Sequence, residues 1–212
     1  MKKLIHASFL ASMVQKGLAC FRVPCGELDS GSEAGECETL PPSGTEAIIR
    51  AFNKRDIVGY DETNDIITDI QLKPGKQGFV FTGFRNDAKK SEEVILPSVG
   101  APMFKHGSGF VVYHRDQATK NTVENLCRGT FVFVVEQKGQ DSTAFELVGK
   151  KCGMRLVPGS IRDAHTNGGF YVLNFATADG EGELEPKLPQ VFCDTDYATS
   201  LAALNAMCEG SI

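Results

Sequence analysis

Hydrophobic and polar positions along this chain alternate mostly with a period of two, and only two stretches carry the period of a helix. Residues 66–72 (IITDIQL) are β-branched and partly alternating. Lys73-Pro74-Gly75-Lys76 follows, with Pro and Gly placed as a type II turn requires, and 77–84 (QGFVFTGF) returns. Together these segments predict a β-hairpin or meander corner. Residues 104–114 predict a strand with Phe110, Val112 and His114 on one face and Val111 and Tyr113 on the other. The apolar run 130–136 (TFVFVVE) predicts a strand buried on both faces. Further strands are predicted over 144–148, 151–157 and 188–193, and over 169–177, where Phe170, Val172 and Asn174 alternate with Tyr171, Leu173 and Phe175.

The first helix is predicted over 116–128. Asp116 caps it, Val123, Leu126 and Cys127 form a short apolar stripe, and Gly129 ends it. The second closes the chain: Asp194 or Asp196 caps it, and Tyr197, Leu201, Leu204 and Cys208 share one face before Gly210 stops it. Two loops are expected. Residues 28–45 are rich in Gly, Ser, Glu and Pro and read as a mobile linker. Residues 86–103 read as a long surface loop with a short strand at 93–96. The pattern predicts one mainly β (α+β) domain over 1–212, with each helix laying one face on a sheet.

Composition narrows the classes. A chain of 212 residues buries a core without disulfide or metal staples. Fourteen Phe, no Trp and 22 Gly suit strands joined by tight turns. A net charge of -5 argues against a nucleic-acid binder, whose affinity rests on Lys and Arg. No apolar run reaches 18 residues, so no membrane-spanning helix is expected. The first 20 residues imitate a secretory leader, but His6, Ser8 and Ser12 dilute the apolar stretch, and Gln15 and Lys16 occupy the place of a small-residue cleavage site. An N-terminal strand is expected instead, with Ala7, Phe9 and Ala11 alternating with Ser8, Leu10 and Ser12. The seven cysteines, 20, 25, 37, 127, 152, 193 and 208, form no C-x-x-C pair. That pattern fits free thiols in a reducing compartment and leaves open a disulfide among the first three.

Candidate chemistry centres on 113–121, YHRDQATKN, which holds the H-R-D-x-x-x-x-N spacing of a protein-kinase catalytic loop. The confirming context is missing: no phosphate loop and strand lysine precede it, and no D-F-G follows. Asp116 reads instead as a helix cap and Asn121 as a helical position. G-x-S-x-G and Walker loops are absent, and His6, His106, His114 and His165 are scattered without metal-ligand spacing. The carboxylates Asp61-Glu62, Glu92-Glu93 and Glu181, Glu183 and Glu185 read as solvated turns, although paired carboxylates can serve glycoside hydrolysis. Residues 179–185 lack the ligand order of a calcium loop. Hence no catalytic, cofactor-binding or metal residue is expected, and the chain reads as non-enzymatic.

Three segments carry a resemblance: DIVGYDETNDIITDIQLKPGKQGFVFTG, TFVFVVEQKGQDSTAFELVGKKCGMRLV and GGFYVLNFATADGEGELEPKLPQVFCDTDYATSLAAL. In their order of strands, mid-chain helix, long loop and closing helix, from about Asn53 to Cys208, they resemble the tail tube proteins of tailed bacteriophages and related head–tail ring proteins. The resemblance implies a β-sandwich or barrel-like virion subunit, made in the host cytoplasm. Copies would form stacked rings, commonly six-fold, and meet other tail or neck proteins. DNA would pass through the channel without sequence-specific binding. Net acidity and the absence of a Lys/Arg run fit a channel that does not grip DNA. The alternative is a carbohydrate-binding or adhesin-type β-sandwich module, against which the absence of Trp and the presence of only four Tyr weigh.

Overall fold

The computed structural model describes residues 44–84, 87–96, 100–159, 161–162, 168–177 and 184–209. The strands are β1 (Thr45–Asn53), β2 (Ile57–Thr63), β3 (Ile66–Leu72), β4 (Gly78–Thr82), β5 (Lys89–Ile95), β6 (Met103–Val112), β7 (Phe131–Gln137), β8 (Phe145–Val148), β9 (Arg155–Leu156), β10 (Tyr171–Ala176), β11 (Gln190–Val191) and β12 (Cys208–Glu209). The helices are α1 (Gln117–Arg128) and α2 (Tyr197–Ala206), and a 3-10 turn, Lys54–Asp56, joins β1 to β2. The expected N-terminal strand, most of the 28–45 linker and Cys20, Cys25 and Cys37 lie outside the described residues.

A six-stranded sheet, ordered β11-β8-β7-β1-β4-β12, forms the middle layer. Strand β7 runs through its interior, and from Phe131 to Glu136 every residue is buried, as the unbroken apolar run predicts. Its two faces serve two cores. Phe131, Phe133 and Val135 join a core shared with Phe110, Leu173 and Phe175 of the four-stranded sheet β5-β6-β10-β9, and with Val123 and Leu126 of α1. Phe175 is the hub, with ring centroids 4.9 Å from Phe133, 5.7 Å from Phe110 and 5.9 Å from Phe131. Each such buried ring stabilises the fold by about 1.5–3 kcal/mol. Val132 and Val134 face the opposite core, completed by Ile67 and Ile70 of the β2–β3 hairpin and by Leu204 of α2. The result is the expected mainly β, α+β architecture, with α1 contributing to the first core and α2 to the second.

Local signals hold where the physics is local. Asp116 caps α1, its carboxylate accepting the Thr119 backbone N–H at 2.8 Å, and Asp196, not Asp194, caps α2 through Thr199 at 2.8 Å. The Lys73–Lys76 turn is of the expected type, with Gly75 at φ 72° and a 3.0 Å bond from Lys76 N–H to Lys73 O. Gly129 does end α1, for a steric reason: a Cβ there would lie 2.1 Å from the Phe131 ring.

Five expectations need correction. The segments flanking Lys73–Lys76 are not a hairpin: β3 pairs with β2, and β4 pairs with β1 in the other sheet. The hairpin is β2–β3, and its turn residues Asn64 (φ 53°) and Asp65 (φ 64°) are both left-handed, as a two-residue type I′ turn needs. Residues 86–103 are not chiefly a loop, because β5 pairs along its whole length with β6, from Lys89↔Gly109 to Ile95↔Met103. The predicted strands 151–157 and 188–193 shrink to β9 and β11. Helix α2 ends at Ala206, before Cys208, which instead opens β12 and pairs parallel with Gly78 of β4. Cys127 is exposed and leaves the α1 stripe to Val123 and Leu126. Strand β1, which no sequence pattern named, occupies the sheet interior between β7 and β4.

Strand β1 carries the largest fully buried side chain among the described residues, Arg50, at 2% exposure. Its guanidinium pairs with the Glu136 carboxylate of β7 at 3.2 Å, donates to Asn205 Oδ1 of α2 at 3.0 Å, and lies 5.5 Å from the Phe145 ring centroid. Tyr197, at the start of α2, donates its hydroxyl to the other Glu136 oxygen at 2.7 Å. Glu136→Gln should cost about 3–5 kcal/mol in urea unfolding, because it strands a buried cation. The double replacement Arg50→Met with Glu136→Leu should cost less than either single change, since it removes both charges.

Candidate functional site

The kinase-like stretch is a helix start. His114 is exposed, Asp116 is the α1 cap, and Asn121 accepts a 3.0 Å bond from Gln117 one turn away. Arg115 donates to Gly168 O at 2.8 Å and lies 5.1 Å from the Phe170 ring centroid. Arg115, Asp116 and Asn121 are thus engaged locally in a helix start and are not arranged as a catalytic loop.

Polar groups converge elsewhere, where β6, the 3-10 turn, β2 and the approach to β11 meet the turn at 149–153. They line a cleft of ≈ 470 Å³. His106, 1% exposed, comes from β6. The Gly149 N–H donates to its Nδ1 at 3.2 Å, and its Nε2 stands 3.0 Å from Lys187 O. A carbonyl only accepts, so Nε2 carries the proton and the ring is the neutral Nε2–H tautomer. Glu185, 3% exposed, accepts the backbone N–H groups of Lys151 (3.0 Å) and Cys152 (2.8 Å). It is a buried clasp on that turn and not part of a solvated loop. Lys54 and Tyr60 both donate to Lys150 O, and the Lys150 ammonium pairs with Glu62 and Gln190.

Burial and neighbours shape the charge states. Burial pushes His106 down, with Glu185 opposing. Burial likewise lowers Lys54, and it raises the Tyr60 phenol, with Glu185 and Glu62 adding to that rise. The Lys150 hydrogen bond lowers Glu62. At neutral pH Tyr60 therefore stays protonated, and both His106 nitrogens are occupied. The groups act on one another as a polar knot that fixes the 149–153 turn between layers.

Asp61 and Glu92 are also engaged within strands, while Glu93 is exposed. Asp61 accepts from Gln71 at 2.7 Å, and Glu92 pairs with Lys90 at 2.7 Å. Among the described residues no three His, Cys, Asp or Glu gather as metal ligands, and no helix is long and apolar enough to cross a membrane. Cys127, Cys152, Cys193 and Cys208 form no disulfide. His6, His165, Glu181 and Glu183 lie outside the described residues. No protein-family model matches the chain, and neither a curated protein nor a solved structure matches it.

The other notable surface is an edge. Strand β5 borders the four-stranded sheet and, among the described residues, is paired on one side only, with Val94 (55%) near its end and Leu96 (75%) just after it exposed. The sequence reading missed this edge because it placed most of β5 in a loop. It missed the knot because Tyr60, Lys54, Lys150 and Gln190 come from segments far apart in the chain.

His106 makes the knot testable. His106→Phe keeps a ring but leaves the Gly149 N–H and Lys187 O without their partner, and should cost about 2–4 kcal/mol in chemical unfolding. The folded-state pKa of His106 lies below its ordinary 6.5, so on acidification the unfolded chain takes up the proton first. Its contribution is complete above pH 6.5 and is lost as pH falls from there through the folded value. Urea midpoints of the wild type should fall between pH 7.5 and pH 5.5, by at most about 1.4 kcal/mol per pH unit for one proton. His106→Gln, which does not titrate, should remove that slope.

Proposed function

We propose that this chain is a non-enzymatic structural subunit that self-assembles through its sheet edges, as a ring or tube component of the tail-tube type its sequence resembles. The observation that carries the reading is the edge of β5: seven strand residues, hydrogen-bonded on one side only among the described residues, with exposed Val94 near the end and exposed Leu96 just beyond it. A long open edge in a stable monomer invites indiscriminate pairing. Here Lys89, Lys90, Glu92 and Glu93 line it, so a partner must match its charges. In the ring reading, copies surround a channel through which DNA passes, and the net charge of -5 favours sliding over gripping. Rings stack on one another and meet other virion proteins at the tail or neck.

One observation favours the second reading, a carbohydrate-binding module. Phe84, 71% exposed, meets Tyr113 at 4.9 Å, and Tyr113 meets Phe170 at 4.7 Å. The first pair is edge-on at 78° and the second tilted at 60°, so the rings build no flat platform for a sugar face.

The native mass of the purified protein, with negative-stain imaging, tests the assembly reading. Closed rings or tubes with a central hole, six-fold in projection, are the expected result. A monomer that persists at high concentration would overturn it, and binding on a glycan array would then support the second reading.

A further inference from the structure

We propose that β5 pairs antiparallel with the β5 of a second copy, about a twofold axis through Ser91. The inference rests on the self-association reading above and names the surface and its partner.

At the borders of the two larger sheets, β9, β11 and β12 are each two residues long, whereas β5 has seven. The hairpin strand β2 is also long, but its register shifts twice, between Ile57 and Gly59 and between Asp61 and Glu62. Strand β5 shows no shift against β6 over its whole length. A regular edge can take another strand along its length.

The charges on β5 then select the partner. Residues 89–93 read KKSEE, two cations and two anions about a central serine. Turned antiparallel and centred on Ser91, a second copy sets Lys89 opposite Glu93, Lys90 opposite Glu92 and Ser91 opposite itself. Every charge meets its opposite, the favourable cross-strand arrangement. A shift of one residue destroys this match. Centring on Lys90 sets Lys90 against Lys90, and centring on Glu92 sets Glu92 against Glu92. Parallel in-register stacking sets every charge against its like. The segment is therefore self-complementary in one register and one direction.

The two faces of the strand divide the work. Lys90 is held at home by Glu92 and Glu146, whereas Lys89, Ser91 and Glu93 are exposed and lie on the opposite face of the strand. Gly107 stands opposite Ser91 on β6, where a Cβ would come within 2.2 Å of the Ser91 hydroxyl oxygen, so the Ser91 side chain leans over β6 and away from the axis. Pairing would join two four-stranded sheets into one continuous sheet. A twofold contact closes after two copies, so it pairs subunits or whole rings and does not itself propagate a tube.

The test is a charge swap at Lys89 and Glu93, read by native mass in analytical ultracentrifugation. Lys89→Glu alone, or Glu93→Lys alone, sets like charges opposite each other twice. Each should weaken the contact roughly tenfold or more and halve the native mass at moderate concentration. An equimolar mixture of the two variants should recover the wild-type mass, because each carries the partner of the other. The double variant Lys89→Glu with Glu93→Lys should recover it alone. Recovery in the mixture also shows that the single variants are folded. Single variants that associate as the wild type does would overturn the β5 contact and leave the assembly reading standing. A wild-type chain that is monomeric throughout would overturn both.

Discussion

The buried pair of Arg50 and Glu136 is the constraint on which the rest of the packing depends. A guanidinium at 2% exposure is tolerable only if its charge is met. Adjacent strands do so: Arg50 stands opposite Val134 on β7, and Glu136, two residues on, shares that face. Helix α2 adds two further bonds, from Tyr197 at its first turn to Glu136 and from Arg50 to Asn205 at its last, while Arg50 Nε stays without a hydrogen-bond partner among the described residues. One ion pair thus grips the helix at both ends and lays Leu204 into the second core. Strand β12 follows directly and closes onto β4, where Gly78 has no room for a Cβ: Phe52 would stand 2.5 Å away. The path of the last 15 or so described residues follows from where two charges had to meet.

A second polar knot sits where the layers meet beside β8. His106 reaches from the four-stranded sheet to the 149–153 turn, and Glu185 clasps the same turn from the opposite direction. Lys54 and Tyr60 hold it through the Lys150 carbonyl. Apolar cores tolerate many packings of similar energy, whereas a buried network satisfies its donors and acceptors in few. The two knots flank a middle sheet whose buried side chains are mostly Phe, Val and Ile. They account for how so uniform a core settles into one arrangement.

The functional reading follows from what this rigidity presents outward. Most interior polar groups are spent on one another, and the long regular edge of β5 is open among the described residues, with a self-complementary charge pattern. The proposed contact, built from backbone edge and charge register, needs no cleft. It needs a strand held straight, which pairing with β6 over seven residues supplies.

The sequence by itself determined the features whose causes are local. Both helix caps lie within three residues of the N–H they satisfy, the Pro74-Gly75 turn is a four-residue object, and β7 announces its double burial by an unbroken apolar run. The tertiary structure decided everything that depends on a distant partner. Charged β5 has no hydrophobic alternation and becomes a strand because β6 offers it a ladder. In β1, Arg50 interrupts the apolar run, and Glu136, 86 residues later, makes its burial tolerable. Glu185 reads as one of several acidic turn residues until the backbone of Lys151 and Cys152 folds around it. The pairing of β4 with β1 instead of β3 is a choice between two available edges, and no turn residue records it. Short-range sterics and hydrogen bonds are written in neighbouring residues. Burial, charge compensation and strand partnership are properties of pairs brought together only by the fold.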